Sequence, residues 1–226
     1  MLGTIINMVA VIVGSLIGLV FDKGIPERLS STLMQALGLC TVLIGVQGAI
    51  KGENALIMIA SIVLGVLIGE LLDLDEKLNR NVRKLESKFI KQKTEKSLAE
   101  GFISASLVFC VGSMAIVGCL NAGLEHDYSM LITKSMLDFT SSIIFASTLG
   151  AGVIGSAFAI FVYQGSLTLL ASVVAPILSQ TVIAEMSCVG SLLIIAIGLN
   201  LMGLTKIKVM NYLPAMFMPI ILCMFM

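Results

Sequence analysis

Apolar residues fill this chain in long stretches broken by short polar or glycine-bearing joints. Eight stretches approach the ~20 residues that a helix needs to cross a bilayer. They are Leu2–Phe21, Leu33–Ile50, Ala55–Leu72, Gly101–Gly123, Met130–Leu149, Gly152–Ala175, Met186–Leu204 and Tyr212–Met226. Only Gly150-Ala-Gly separates the fifth from the sixth, and Pro214 and Pro219 interrupt the last. The pattern predicts an all-α fold: a polytopic helical membrane bundle of about eight transmembrane helices, forming one integral domain over residues 1–226. No basic residue precedes the apolar run that opens Met1-Leu-Gly-Thr-Ile-Ile-Asn, so the first stretch reads as a retained span, not a cleaved signal.

The basic residues orient this bundle. Lys77, Arg80, Arg83, Lys84, Lys88, Lys91, Lys93 and Lys96 all fall between spans three and four, which places that loop in the cytoplasm. With eight spans, Lys23, Arg28, Lys206 and Lys208 also fall inside and only Lys51 falls outside, so both termini are expected outside. Within the basic loop, Leu74, Leu78, Val82, Leu85 and Phe89 recur at helical spacing. Residues 74–97 therefore read as an amphipathic segment on or near the cytoplasmic membrane surface. It serves as a topology determinant alone or as a surface for partners or anionic lipid.

Composition agrees with a membrane class. Hydrophobic residues make up 58% and charged residues 12% of the 226, about half the charged share of soluble domains. Basic and acidic residues balance at 14 each, which argues against a nucleic-acid partner. The five cysteines are scattered through apolar stretches with no metal-ligand spacing, and His126 stands in a loop between Glu125 and Asp127. No metal or cofactor is expected, and the signatures of metalloproteases, serine hydrolases and P-loop enzymes are missing from the sequence. The chain does not read as an enzyme.

Spans two and seven share a pattern. Gly45 and Gln47, at the end of an apolar run in span two, correspond to Gly198 and Asn200 in span seven. A looser copy, ending in Asn121, lies in span four. The two spans run in opposite directions, so spans one to three recur upside down as spans six to eight, an inverted repeat of the kind secondary transporters use. Compositional likeness between Gly-rich helices is the plainer alternative. Gly14-x-x-x-Gly18 and Gly65-x-x-x-Gly69 mark close helix packing, within the chain or in a homo-oligomer.

One charged pair lies deep inside an apolar stretch: Lys134 and Asp138, in span five. A carboxylate at mid-membrane costs about 2.5–3.5 kcal/mol on insertion scales, so such groups pair or line a polar path. Lys134, Ser135, Asp138, Ser141 and Ser142 share one helix face. Ser156, Gln164, Thr168 and Ser172 form a matching face on span six. Asp138, Gln164 and Asn200 are candidates to converge on a site for a monovalent cation or small solute, with Lys134 as an internal competitor for the carboxylate. A structural ion pair needed only for folding is the alternative. Gln47, Asn121 and Glu70 are secondary candidates. Glu70 and Asp73 read as boundary residues of span three, Glu185 as the cap that opens span seven, and Pro214 as a break in span eight.

Several segments together carry a family resemblance. They are Phe109-Cys-Val-Gly-Ser-Met-Ala-Ile-Val-Gly, Lys134-Ser-Met-Leu-Asp-Phe-Thr-Ser-Ser-Ile, Tyr163-Gln-Gly-Ser, Ile197-Gly-Leu-Asn-Leu and Asn211-Tyr-Leu-Pro-Ala. Over essentially its whole length the chain resembles the YqgA-like family of bacterial membrane proteins of unknown function. The resemblance implies a multi-pass protein of the bacterial inner membrane and assigns no role to any residue. Two functions remain in view: a small secondary transporter or channel working through Asp138, and a non-transporting scaffold or regulator working through residues 74–97.

Overall fold

The computed structural model describes residues 1–22, 27–89 and 98–224. Those residues form eleven α-helices and one 3-10 segment, with no strand among them. The first four helices are α1 (Leu2–Asp22), α2 (Glu27–Ala49), α3 (Ala55–Leu72) and α4 (Leu74–Phe89). Next come α5 (Leu98–Cys110), α6 (Ser113–Leu124), α7 (Ser129–Leu149), α8 (Gly152–Leu169), α9 (Ala171–Val174) and α10 (Gln180–Leu201). The 3-10 segment Val209–Phe217 and α11 (Met218–Leu222) complete the chain. The protein is an all-α membrane bundle.

By length and apolarity, α1, α3, α8 and α10 each suffice to cross a membrane, and α5 with α6 makes a fifth crossing if the bent pair counts as one. Of the other apolar stretches, Met34–Ala49 and Val209–Leu222 are shorter and α7 falls short in apolarity, and several spans depart from their expected bounds for local reasons. Span four does not run unbroken from Gly101 to Gly123: it bends by 60° between α5 and α6. Gly112 makes the break, with φ 121 and ψ 147, a backbone region open in practice only to glycine. Span six ends early at Leu169 and resumes as the short α9. Span eight winds as a 3-10 helix around Pro214, which has no N–H to donate. Gly150, at φ 79, separates α7 from α8, so spans five and six are distinct helices.

Helix α10 is central, with 72% of its apolar window buried, against 22% for α3 at the periphery. The outward faces of α2 and α3 carry exposed Leu39, Leu43, Leu56, Ile59 and Val63, the composition that lipid tails accept. Glycines set the close crossings. Gly14 and Gly18 lie against the backbone of α7 at Phe139 and Ile143, so α1 and α7 run parallel. In the same way Gly152 and Gly155 bring the start of α8 onto Leu98 and Phe102 of α5. Gly65 and Gly69 lie against Ala215 and Asn211, so α3 runs antiparallel to the 3-10 segment.

The α2–α10 crossing bears on the repeat. A Cβ on Gly38 would meet the Gly198 carbonyl oxygen at 2.8 Å, and one on Gly45 the Ser191 carbonyl oxygen at 2.8 Å. The register that aligns Gly45 with Gly198 also aligns Gly38 with Ser191, so each contact is the image of the other. The parallel pairs α1–α7 and α8–α5 exchange in the same manner. These pairings agree with the inverted repeat read from the sequence.

The amphipathic segment is helical over Leu74–Phe89, and Asp73, in the left-handed region at φ 47, turns the chain between α3 and α4. Lys23, Lys91, Lys93, Lys96 and the stretch 90–97 lie outside the described residues. Glu70 is exposed and Asp73 half-buried, as boundary residues would be. Span seven begins before the expected Met186, at Gln180, where the Ser179 hydroxyl accepts from the Val182 N–H. Glu185 therefore lies inside α10, fully buried, and does not cap it.

Candidate functional site

Lys134 and Asp138 occupy successive turns on the buried face of α7, 6% and 5% exposed. The Lys134 ammonium donates to both carboxylate oxygens, at 2.8 and 2.7 Å. At such burial the pair is stable only if its remaining hydrogen-bonding capacity is met. One further donor comes from α1: Asn7 Nδ2 gives to Asp138 Oδ2 at 2.9 Å and to Gln164 Oε1 of α8 at 3.3 Å. Asn7 thus ties three helices together at the carboxylate. Gly3 and Gly14 make this possible by letting α1 approach α7.

The ring around the pair is incompletely satisfied. Asn7 Oδ1, Gln164 Nε2 and Thr4 Oγ1 are buried and have no hydrogen-bond partner among the described residues. Thr168, one turn along α8 from Gln164, is also buried, and its Oγ1 has no hydrogen-bond partner among the described residues. Ser142 is buried where α1 crosses, but its hydroxyl is bonded back to the Phe139 carbonyl at 2.8 Å. Ser141 is half-buried on the adjoining strip of α7.

The helix break lies close by. The helix is interrupted at Gly112, which offers no side-chain cap to α6, while the Ala115 N–H donates to the Gly112 carbonyl at 3.2 Å. Interrupted backbone at membrane depth is tolerated where protein buries it or a cavity meets it. A cavity of about 220 Å³ lies beside the break, lined by Ser106, Cys110, Val111, Tyr163, Leu213 and Met216. Tyr163, the residue before Gln164 on α8, lines this cavity, whereas Asn7, Asp138 and Gln164 do not.

Asn200 does not join this site. It lies at the far end of α10, where its Nδ2 donates to the Ile207 carbonyl at 2.8 Å and its Oδ1 accepts from Thr205 and the Ile207 N–H. It holds the turn into the 3-10 segment. It also lines a second cavity, of about 180 Å³, with Asp75, Asn79 and Glu100. Gln47 is exposed on α2. Asn121 is half-buried near the end of α6, where its backbone carbonyl accepts from Glu125 and Asp127. His126 is exposed in the following loop. Among the described residues no group of His, Cys, Asp and Glu could hold a metal ion.

Sequence reasoning missed Asn7 and Thr4, the α1 contribution. Their signal was present: Gly3, Thr4, Asn7 and Gly14 share one face of the first helix.

No solved structure matches the chain. It is 38% identical over 223 residues to "Uncharacterized membrane protein YdfK" of Bacillus subtilis (strain 168), covering 97% of this chain and 94% of the relative. It is 32% identical over 218 residues to "Uncharacterized protein YqgA" of Escherichia coli (strain K12), covering 95% and 93%. The family described as "Protein of unknown function (DUF554)" matches residues 2–224. The chain is a member of that family of membrane proteins, as the YqgA-like motifs in its sequence implied.

Proposed function

We propose that the protein is a small secondary transporter or channel for a monovalent cation or small polar solute, with Asp138 as its charged element. The observation that carries this reading is a carboxylate buried within the bundle, held by Lys134 and Asn7, beside a broken helix and buried polar atoms without partners among the described residues. Buried ionisable groups within spans mark ion pathways more often than they mark simple packing. Asn7 Oδ1 and Thr4 Oγ1 are neutral oxygens of the kind that replace a cation's hydration shell, and Lys134 acts as a tethered cation that an incoming ion displaces. In this reading the protein lies in a bacterial inner membrane, the basic loop is cytoplasmic and both termini are outside.

The test is thermal unfolding of purified wild type and Asp138→Asn against Na⁺, K⁺, Li⁺ and pH. A ligand present at 100 times its Kd raises stability by about 2.7 kcal/mol. A saturable shift for one ion, lost in the variant, is the expected outcome, followed by loss of flux in liposomes. If folded Asp138→Asn protein keeps wild-type flux, the role assigned to Asp138 fails.

A second reading rests on α4. Its amphipathic face follows a sharp turn at Asp73, and Asn211 Oδ1 anchors its first turn by accepting from the Asp75 N–H at 2.8 Å. A helix so held suits a scaffold or regulator. Reversing charges in residues 74–97 would then remove the phenotype while Asp138→Asn is tolerated.

A further inference from the structure

A second carboxylate is wholly buried outside the Asp138 site. Glu185, inside α10, accepts two backbone hydrogen bonds on Oε1: from the Glu53 N–H at 2.7 Å and the Asn54 N–H at 2.8 Å. Both donors belong to the loop between α2 and α3, at the point where Asn54 caps α3. The lengths are those of charge-assisted bonds, and the N-terminal end of α3 adds partial positive charge. Oε2 is buried with no partner among the described residues. An apolar side chain would fill this position without that desolvation cost, so packing alone does not account for a carboxylate here.

The same loop shields a thiol. Cys188 is 2% exposed, and its Sγ donates to the Ala49 carbonyl at 3.2 Å. Gly52 lies so close that a Cβ there would stand 2.8 Å from the Cys188 Cβ.

We propose that Glu185 is a latch that pins the α2–α3 loop across the end of α10. Release of its two hydrogen bonds lifts the loop and opens that end of the bundle. The assignment rests on this contact alone and is independent of any transport through Asp138. Cys188 is a built-in reporter, because the lifted loop exposes its thiol.

The experiment is alkylation of Cys188 by N-ethylmaleimide in purified full-length protein whose Cys40, Cys110, Cys119 and Cys223 are replaced by alanine. Hydrogen bonds to charged groups are strong enough that losing both raises the labelling rate about tenfold in Glu185→Ala. Glu185→Gln keeps an acceptor oxygen but not the charge, and labels at a rate between those of the parent and Glu185→Ala. Glu53→Pro, at an exposed position, deletes one donor and also raises labelling. That variant carries the test by itself if Glu185→Ala does not fold. Cys188 remaining protected in the folded Glu185→Ala and Glu53→Pro proteins overturns the latch. So does equal, fast labelling of Glu185→Gln and Glu185→Ala.

Discussion

Removing Lys134 while leaving Asp138 strands a carboxylate that is 5% exposed. Breaking a buried pair from one side costs about 3–5 kcal/mol, whereas replacing both partners by apolar groups of similar size is often neutral. Lys134→Met is therefore expected to lower stability by about 3 kcal/mol, and Lys134→Met with Asp138→Leu to recover most of it, read from unfolding in detergent. A double variant that folds well but has no flux separates function from folding. Asn7→Val removes a hydrogen bond between helices, of the kind that averages about 0.6 kcal/mol within membranes and reaches about 1.7. A loss in that range, with Gln164 also set free, is the expected reading of the same assay. The charged pair was legible in the sequence because nothing else charged stands so deep in an apolar run. Asn7 was not, because an amide near the start of a first span reads as interfacial. Asn200 was misplaced for the converse reason: an amide at the end of a span reads as a pathway residue until its turn is seen to use both of its polar atoms.

Among the elements, the break between α5 and α6 is the feature most open to test. Gly→Ala inside a continuous helix is stabilising by about 1 kcal/mol. At Gly112 no neighbour would obstruct a Cβ, but φ is +121. Gly112→Ala is therefore expected to destabilise by about 1–3 kcal/mol, measured by thermal unfolding; a gain in stability would mean that the helix runs straight. The break was illegible because Val111-Gly-Ser contains no proline and interrupts no hydrophobic run. Helix α3, the start and end of α1, and the amphipathic periodicity from Leu74 to Phe89 were all legible, because apolar spacing alone specifies them. The start of α10 was placed too late, at Met186. Had Ser179 been read as the N-cap, Glu185 would have stood out as an interior carboxylate.

For the molecule as a whole, the proposed orientation places the α6–α7 loop outside and α4 inside. Single cysteines introduced at exposed Asp127 and exposed Glu76 are expected to label with a membrane-impermeant maleimide from opposite sides of intact cells, Asp127 from outside. Labelling from the same side would remove the alternation of directions on which the inverted repeat rests. The number of spans was the weakest sequence inference. Hydropathy counts apolar residues and is blind to a bend, an early stop at Leu169 or a 3-10 winding at Pro214.

The mirrored crossings at Gly38–Gly198 and Gly45–Ser191 have a consequence for direction. Were the repeat to extend over both halves of the chain, the scaffold would have no inherent front or back with respect to the bilayer. Vectorial behaviour must then arise from residues that the repeat does not reproduce. The salt-bridged pair on α7 is one such element, since the bent α5–α6 that takes its place has Gly112 and no ion pair at mid-length. Polarity across the membrane would be written in a few side chains laid on an impartial frame.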